Sequence, residues 1–424
     1  MVQNLKNAVA VITGASSGIG RATALEFAAK GTTVVVAARR ESALNDLVSE
    51  IGASGGRALA VPTDVTDEVA VRRLAQRAIQ TFGKIDIWVN NASVMMFAPL
   101  LDAPLEDYRR VMDVNFFGYV HGTRAALAAF QAQGHGALIN VSSVVTRMPQ
   151  PYTSAYVASK HAVQALGEST RQELMLAGAK DIHVVNVLPA VIDTPLFQHA
   201  ANYTGREART FPPVYPAKNV AKAIVRAATR PKREVYVGNA GRLVNLQRTL
   251  MPGKVERGAA TVVDKGHLGD TPVPPTSGNL FQPMMLGNDV SGGWKQDGSS
   301  PARRLAAFGV VTVPLAALAQ RAWARQQEIA RREAEASWKA KVADSSTVQR
   351  LVTLGATTVP LVTYALRARK RSQDSEQVDQ GPRRVRIRST PEVATAPAPE
   401  PAPAPEVATV TETVTISEGT DERS

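Results

Sequence analysis

The sequence predicts a doubly wound α/β fold, a parallel sheet with helices on both faces, continued by a mostly helical and disordered C-terminal extension. Three observations carry that prediction. Up to about residue 240, short β-branched runs alternate with stretches of helical periodicity, which implies crossover connections and a parallel sheet. The run Val34-Val35-Val36-Ala37 is continuously apolar rather than alternating, as expected of a strand buried on both faces. A glycine-rich turn, Thr13-Gly14-Ala15-Ser16-Ser17-Gly18-Ile19-Gly20, joins the first strand run to the first helical one.

In chain order, strands are predicted at 8–13, 33–37, 57–61, 85–90, 137–141, 183–188 and 234–237, with helices such as 20–29, 68–82 and 155–176 between them. Together they make one domain over 1–240. Regularity fades from 241 to 300, where Pro272, Pro274, Pro275, Gly278, Gly287, Gly292 and Gly293 suggest an extended arm or loop. A basic segment, 301–371, holds an internal repeat at an offset of 46, with identical pairs such as Gly309/Gly355 and Pro314/Pro360. Each copy is a 16-residue apolar run, 305–320 or 351–366, and 325–341 between them reads as an exposed, charge-rich helix. Within the last segment, 372–424, the stretch from Pro391 is rich in Ala, Pro and Glu and cannot build a core, so disorder is expected.

Composition narrows the chemistry. With 424 residues, 44% of them hydrophobic, whole-chain disorder is excluded. The absence of cysteine removes disulfides, thiolate metal sites and a Cys nucleophile, and six histidines show no clustered ligand spacing, so no metal is expected. The net charge of +12 is uneven: 301–371 carries 13 Lys/Arg against 4 Asp/Glu, and 372–424 carries 5 against 10. The densest basic region therefore lies outside the α/β part and lacks interleaved aromatic stacking groups beyond Trp323, Trp338 and Tyr364, so no nucleic acid partner is expected. No leader sequence is evident, and no apolar run reaches the ~18 residues of a confident membrane span. A cytoplasmic protein is expected. The arginine-flanked runs 305–320 and 351–366 leave open association with a membrane surface, against packing on protein.

Three motifs carry chemistry. The glycines of the first turn let the backbone approach a pyrophosphate, which the N-terminus of the following helix attracts with free N–H groups and its dipole. The spacing Gly-x-x-x-Gly-x-Gly is not the commoner Gly-x-Gly-x-x-Gly, and such a turn can be purely structural. At the end of the second strand, where an acidic residue binds the ribose hydroxyls of NAD, this chain has Ala38-Arg39-Arg40. Two cations suit a 2′-phosphate and favour NADP over NAD, unless they are only a solvated basic turn. Finally, Tyr156-x-x-x-Lys160 stacks a phenol and an ammonium on one helix face, and the ammonium favours the phenolate. Ser142-Ser143 at the preceding strand end gives that pair its weight, because α/β sheets bind ligands at strand ends.

These residues occur in an order that resembles the short-chain dehydrogenase/reductase family, with its Rossmann-like single domain, over about residues 5–240. The resemblance rests also on Asp64-Val65, Asn90-Asn91-Ala92, Asn115 within Val114–Gly118, and Pro189 to Thr194. It implies that Tyr156 exchanges the proton with the substrate oxygen and that Lys160 binds the nicotinamide ribose and lowers the Tyr156 pKa. Ser143 would donate to the substrate oxygen, and Asn115 would support a water relay behind Lys160. Gly14, Ser16, Ser17, Gly18, Ile19 and Gly20 would cradle the pyrophosphate, with Arg39 and Arg40 at the 2′ position. Asp64 and Val65 would frame the adenine, Asn91 and Ala92 would flank the cofactor, and Pro189, Ile192 and Thr194 would hold the nicotinamide side. The implied activity is hydride transfer between NADP(H) and an alcohol or carbonyl compound, in a homo-oligomer.

Two positions depart from the family pattern: Ser93 and Ala190 stand where it has glycine. With the long extension, they motivate a rival reading, a dinucleotide-binding sensor or scaffold whose chemistry has decayed. The candidate substrate pocket comprises Ser93, Val94, Met95, Val144, Gln150, Val191 and the lid-like segment 196–211. Its apolar character points to a hydrophobic substrate.

Overall fold

The computed structural model describes residues 4–210, 212–238, 251–284 and 287–294, together with six positions between Arg325 and Ala336. The chain divides into two compact units, Met1–Ala322 and Trp323–Ser424. In the second unit Arg325, Glu328, Ile329, Arg332, Glu333 and Ala336 are helical and exposed, and Arg332 pairs with Glu328 one turn away at 2.9 Å. That agrees with the charge-rich helix expected there. Both apolar repeats and the Ala/Pro/Glu-rich tail lie outside the described residues. Among the described residues no helix is long and apolar enough to cross a membrane.

The first unit is built on seven parallel strands: β1 (Val9–Thr13), β2 (Thr33–Ala38), β3 (Ala58–Pro62), β4 (Ile87–Asn90), β5 (Gly136–Val141), β6 (Ile182–Pro189) and β7 (Glu234–Val237). Their spatial order is β7-β6-β5-β4-β1-β2-β3. The order reverses between β1 and β4, and ligands of open α/β sheets bind in the crevice beyond the strand ends at such a switch point. Every residue of β1 and β2 is buried, which explains their unbroken apolar runs.

The helices are α1 (Gly18–Ala28), α2 (Glu41–Ala53), α3 (Glu68–Phe82), α4 (Leu105–Met112), α5 (Gly118–Gln133), α6 (Ser154–Leu176), α7 (Ala217–Thr229) and α8 (Pro252–His267). Ile12, Val34 and Val36 on one sheet face pack with Phe27 of α1 and Val220 and Ile224 of α7. Val11, Val35 and Trp88 on the other pack with Leu74 of α3 and Phe130 of α5. Helix α3 shows how local sequence sets a boundary. The Asp67 side chain accepts from the Val69 and Ala70 N–H groups, and Gly83 ends the helix at φ 78°.

A polar ladder crosses the central strands. Asn90, Asn140 and Asn186 are paired in register, and Asn90 Nδ2 donates to Asn140 Oδ1 at 3.0 Å. Asn140 Nδ2 donates to Asn186 Oδ1 at 3.5 Å. Glycines on the covering helices make room for it: a Cβ on Gly122 would lie 2.1 Å from Asn90 Oδ1, and one on Gly167 2.4 Å from Asn186 Oδ1.

Two features were not expected. Where α4 meets α5, Asp113–Phe117 forms a π-turn around Asn115. The region expected to be an irregular arm contains α8, starting at Pro252. Gly253 and Gly258 hide that helix from propensity, whereas tertiary contacts support it: Val263 is buried and Asp264 pairs with Arg206 at 2.9 Å. The chain after α8 is extended, and Leu268–Pro272 pairs antiparallel with Arg206–Ala208.

Candidate active site

The β1–α1 turn needs its glycines. Gly14 has φ +65°, and a Cβ there would sit 2.6 Å from Ala92 Cα; one on Gly20 would sit 2.2 Å from Gly14 O. Asn91 pins the turn, its Nδ2 donating to Thr13 O at 2.9 Å. Gly14, Ser16, Ser17, Gly18 and Ile19 then line one cavity with Asp64, Val65, Asn91 and Ala92. Pro189, Ile192 and Thr194 face the same cavity, as do Ser143, Tyr156 and Lys160. Of the predicted site residues only Gly20 and Asn115 lie behind its surface. The turn fits a dinucleotide because glycines at 14, 18 and 20 open the backbone at the positive end of α1.

At the β2 end, Arg39 and Arg40 line the cavity but also grip a distant segment of the chain. Arg39 Nη2 donates to Asn279 O at 2.6 Å and Nη1 to Phe281 O at 2.8 Å. Arg40 Nη1 donates to Met284 O at 2.9 Å and to Asn288 Oδ1. The Gly18 N–H at the start of α1 donates to Asp289 O at 2.9 Å. Burial lowers the pKa of both guanidinium groups from the ordinary arginine value. Burial works to raise the Asp64 carboxyl, but hydrogen bonds from Thr66 and Arg110 outweigh it and hold the group below its usual range.

At the other end, Tyr156 and Lys160 are both buried on α6. Lys160 Nζ donates to Val141 O at 3.0 Å and to the Tyr119 hydroxyl at 3.3 Å, and lies 5.6 Å from the Tyr156 ring centroid. Burial pushes Lys160 down to about 7. It pushes Tyr156 up to about 12, against the hydrogen bond with Ser143 that favours the phenolate. This differs from the expectation that the lysine acidifies the phenol. In the site as it stands, desolvation of each group exceeds their mutual effect.

Asn115, expected behind Lys160, is held by its protein neighbours. It is fully buried, its Oδ1 accepts from the Val94 N–H at 2.8 Å and from Ser93 Oγ at 3.1 Å, and its Nδ2 donates to Val94 O and Ser159 Oγ. It pins the strand-4 loop to α6. Ser93 thereby finds a partner, and neither it nor Ala190 has positive φ, since among described non-glycine residues only Asn7 and Tyr152 do. The two departures from the glycine pattern leave the backbone unstrained, which removes the ground for a decayed site.

The expected pocket residues Ser93, Val94, Met95, Val144, Gln150 and Val191 all line the cavity. From the lid-like segment Leu196, Phe197 and His199 do so, while Phe211 lies outside the described residues. Later parts of that segment are stitched down elsewhere: Ala201–Asn202 pairs with Met96–Phe97, and Arg206 bonds to Asp264. Met95, Val145 and Phe197 of the lining belong to an apolar cluster that also holds Tyr156, with Phe97 and Leu268 behind them. Sequence reasoning missed Tyr119, His267 and Asn279. Tyr119 follows Asn115 by one helical turn, a signal that could have been used. His267 stacks on Phe197 at 5.3 Å, and burial lowers it to about 4, so it is neutral. Asn279 stands in the stretch Gly278-Asn279-Leu280-Phe281-Gln282-Pro283, which resembles an arm of some family members without implying a role for it. Among the described residues no group of His, Asp or Glu could hold a metal ion.

Fold and cavity define a nucleotide-binding α/β oxidoreductase. Comparison with known proteins makes that specific: the model of the short chain dehydrogenase family matches residues 8–203. The chain is 42% identical over 258 residues to the uncharacterized oxidoreductase YxnA of Bacillus subtilis, covering 60% of this chain and 72% of that protein. It is 34% identical over 266 residues to dehydrogenase/reductase SDR family member 7B of Bos taurus, covering 59% and 79%. A crystal structure of a short chain dehydrogenase/reductase SDR from Burkholderia phymatum in complex with NAD superposes with a TM-score of 0.52 at 28% identity, over 58% of this chain and 96% of that one. This chain belongs to the short-chain dehydrogenase/reductase family and is an oxidoreductase.

Proposed function

We propose that this oxidoreductase transfers a hydride between NADP(H) and a hydrophobic alcohol or carbonyl compound. The observation that carries the reading is that Ser143, Tyr156 and Lys160 share one cavity with the glycine turn. The nicotinamide supplies the hydride chemistry when bound. Protein groups must then meet the charge that develops on the substrate oxygen.

Tyr156 is the proton-exchanging group. Raised to about 12, it keeps its proton at neutral pH, the form that can protonate a carbonyl oxygen gaining a hydride. Ser143 donates a hydrogen bond to the same oxygen. Lys160, close to neutrality in its titration, holds the ribose and passes protons towards Tyr156. Asn115 positions this apparatus by fixing the Val94 loop against Ser159. The apolar cluster around Tyr156 is what supports a hydrophobic substrate.

Charge supports NADP(H). Arg39 and Arg110 meet at the β2 end beside Asp64, which is paired with Arg110 at 2.9 Å. The arm oxygens on Arg39 are uncharged carbonyls, so positive charge is left over for a 2′-phosphate. The test is consumption of NADPH and of NADH against aldehydes, ketones and quinones. A preference for NADPH of about tenfold or more in kcat/KM is expected from one charge-assisted contact. Faster turnover with NADH overturns the cofactor assignment, and no turnover across apolar carbonyls or alcohols overturns the reaction.

A further inference from the structure

The arm that follows α8 is part of the wall of the candidate dinucleotide cavity, where Asn279, Pro283 and Met284 join the residues of the glycine turn. Its position is over-determined by its main chain. Asn279 O accepts from Arg39 Nη2 at 2.6 Å, and Asn279 N donates to His199 O at 2.9 Å. The next carbonyl, Leu280 O, accepts from Arg110 Nε at 3.0 Å and from Arg39 Nη1 at 3.2 Å. Gly278, at φ +52°, lets the arm press so close that a Cβ there would lie 2.4 Å from His199 O. Held in this way, the Asn279 side chain borders the cavity with its Oδ1 buried and without a hydrogen-bond partner.

A buried amide oxygen without a donor is an uncommon and unfavourable arrangement, and in a ligand cavity the missing donor is naturally the ligand's. The neighbours say which part of the ligand. Arg39 and Asp64 interact electrostatically beside Asn279, at the end of the cavity away from Tyr156 and Lys160. We propose that Asn279, carried in by the C-terminal arm, binds the adenosine half of the cofactor, its Oδ1 accepting from the adenine amino group or a ribose hydroxyl. The arm is then a further side of the cofactor site, beyond those that the α/β domain supplies. This rests on the dinucleotide reading above.

The test is equilibrium binding to the full chain, with no turnover involved, for wild type and Asn279→Ala. The substitution leaves all the main-chain anchors in place, so an unchanged melting temperature and unchanged binding of nicotinamide mononucleotide show an intact fold. Binding of AMP, of NADPH and of NADH should weaken about 3- to 10-fold, the size of one lost hydrogen bond. Loss with AMP but not with IMP assigns the adenine amino group as donor, and equal loss with both assigns a ribose hydroxyl. Unchanged AMP affinity overturns the proposal. So does tighter binding, which would mean that the arm competes with the nucleotide. If wild type binds AMP but neither dinucleotide, the functional reading fails while the role of Asn279 is still read from AMP.

Discussion

The two ends of the cavity each present cations, yet they hold them differently. Lys160 is almost fully buried and bound by Val141 O of β5 and by Tyr119 of α5, both parts of the central sandwich. Arg39 and Arg40 are bound by carbonyls some 240 residues further along the chain, on an arm with little regular structure. One end is fixed by the same packing that makes the fold. The other depends on a segment that can be altered without touching the sheet. The difference separates chemistry, which needs pre-set geometry, from cofactor enclosure, which can be an addition.

Substitutions at the two ends should differ in kind as well as in size. The largest effect belongs to Tyr156→Phe, which removes the hydroxyl proposed to exchange the proton and nothing else. Turnover should fall about 10³-fold, typical of a lost general acid, with dinucleotide affinity within about twofold of wild type. Normal turnover in steady-state assays would sink the mechanism.

Next is Asn140→Ala beneath the same end. It opens a cavity and leaves Asn186 Oδ1 without its Asn140 donor, at a cost of about 3 kcal/mol in urea unfolding. A loss under about 1 kcal/mol would show that the ladder is replaceable.

Lys160→Met should act in the opposite direction on stability. Burial lowers Lys160 from 10.5 to about 7, so between those values the unfolded chain keeps a proton that the folded chain has released. Wild-type stability therefore rises with pH across that window, and the full penalty applies below it. Val141 O keeps the Tyr119 hydroxyl at 2.9 Å, so methionine leaves no orphan. The variant should be more stable by about 2 kcal/mol at pH 6, with a flatter profile up to pH 10 and little activity. A wild-type melting curve that does not move over this range would count against the buried cation.

The smallest effect is expected at the arm. Arg39→Ala should cost about 1 kcal/mol or less in global stability, because its hydrogen bonds tie down a peripheral segment. Amide exchange over 278–294 should accelerate while β1 to β6 stay protected. Equal acceleration in both regions would erase the contrast between the two ends.

Much of the first end was legible in the sequence, because its signals are local. Tyr156 and Lys160 lie one helical turn apart, Ser143 follows a strand end by two residues, and the glycines of 14–20 fall where a strand turns into a helix. The strands were found to within a residue or two for the same reason. The charge state of Tyr156 and Lys160 was not legible, since desolvation depends on what else packs around them, and spacing alone suggested the opposite shift. Helix α8 and the arm were missed as functional parts because glycine and proline there point locally to loop, and only distant partners reveal their use.

What the sequence determined by itself is the order of strands and helices, the apolar faces, and the residue types for hydride chemistry. These follow from periodicity and from backbone sterics within a few residues. Tertiary structure alone decided that Arg39 and Arg40 hold the arm, that Asn115 binds Val94, and that Asn279 reaches the candidate cavity. Each joins groups far apart in the chain, and such a contact exists only after the sheet has brought its strand ends together.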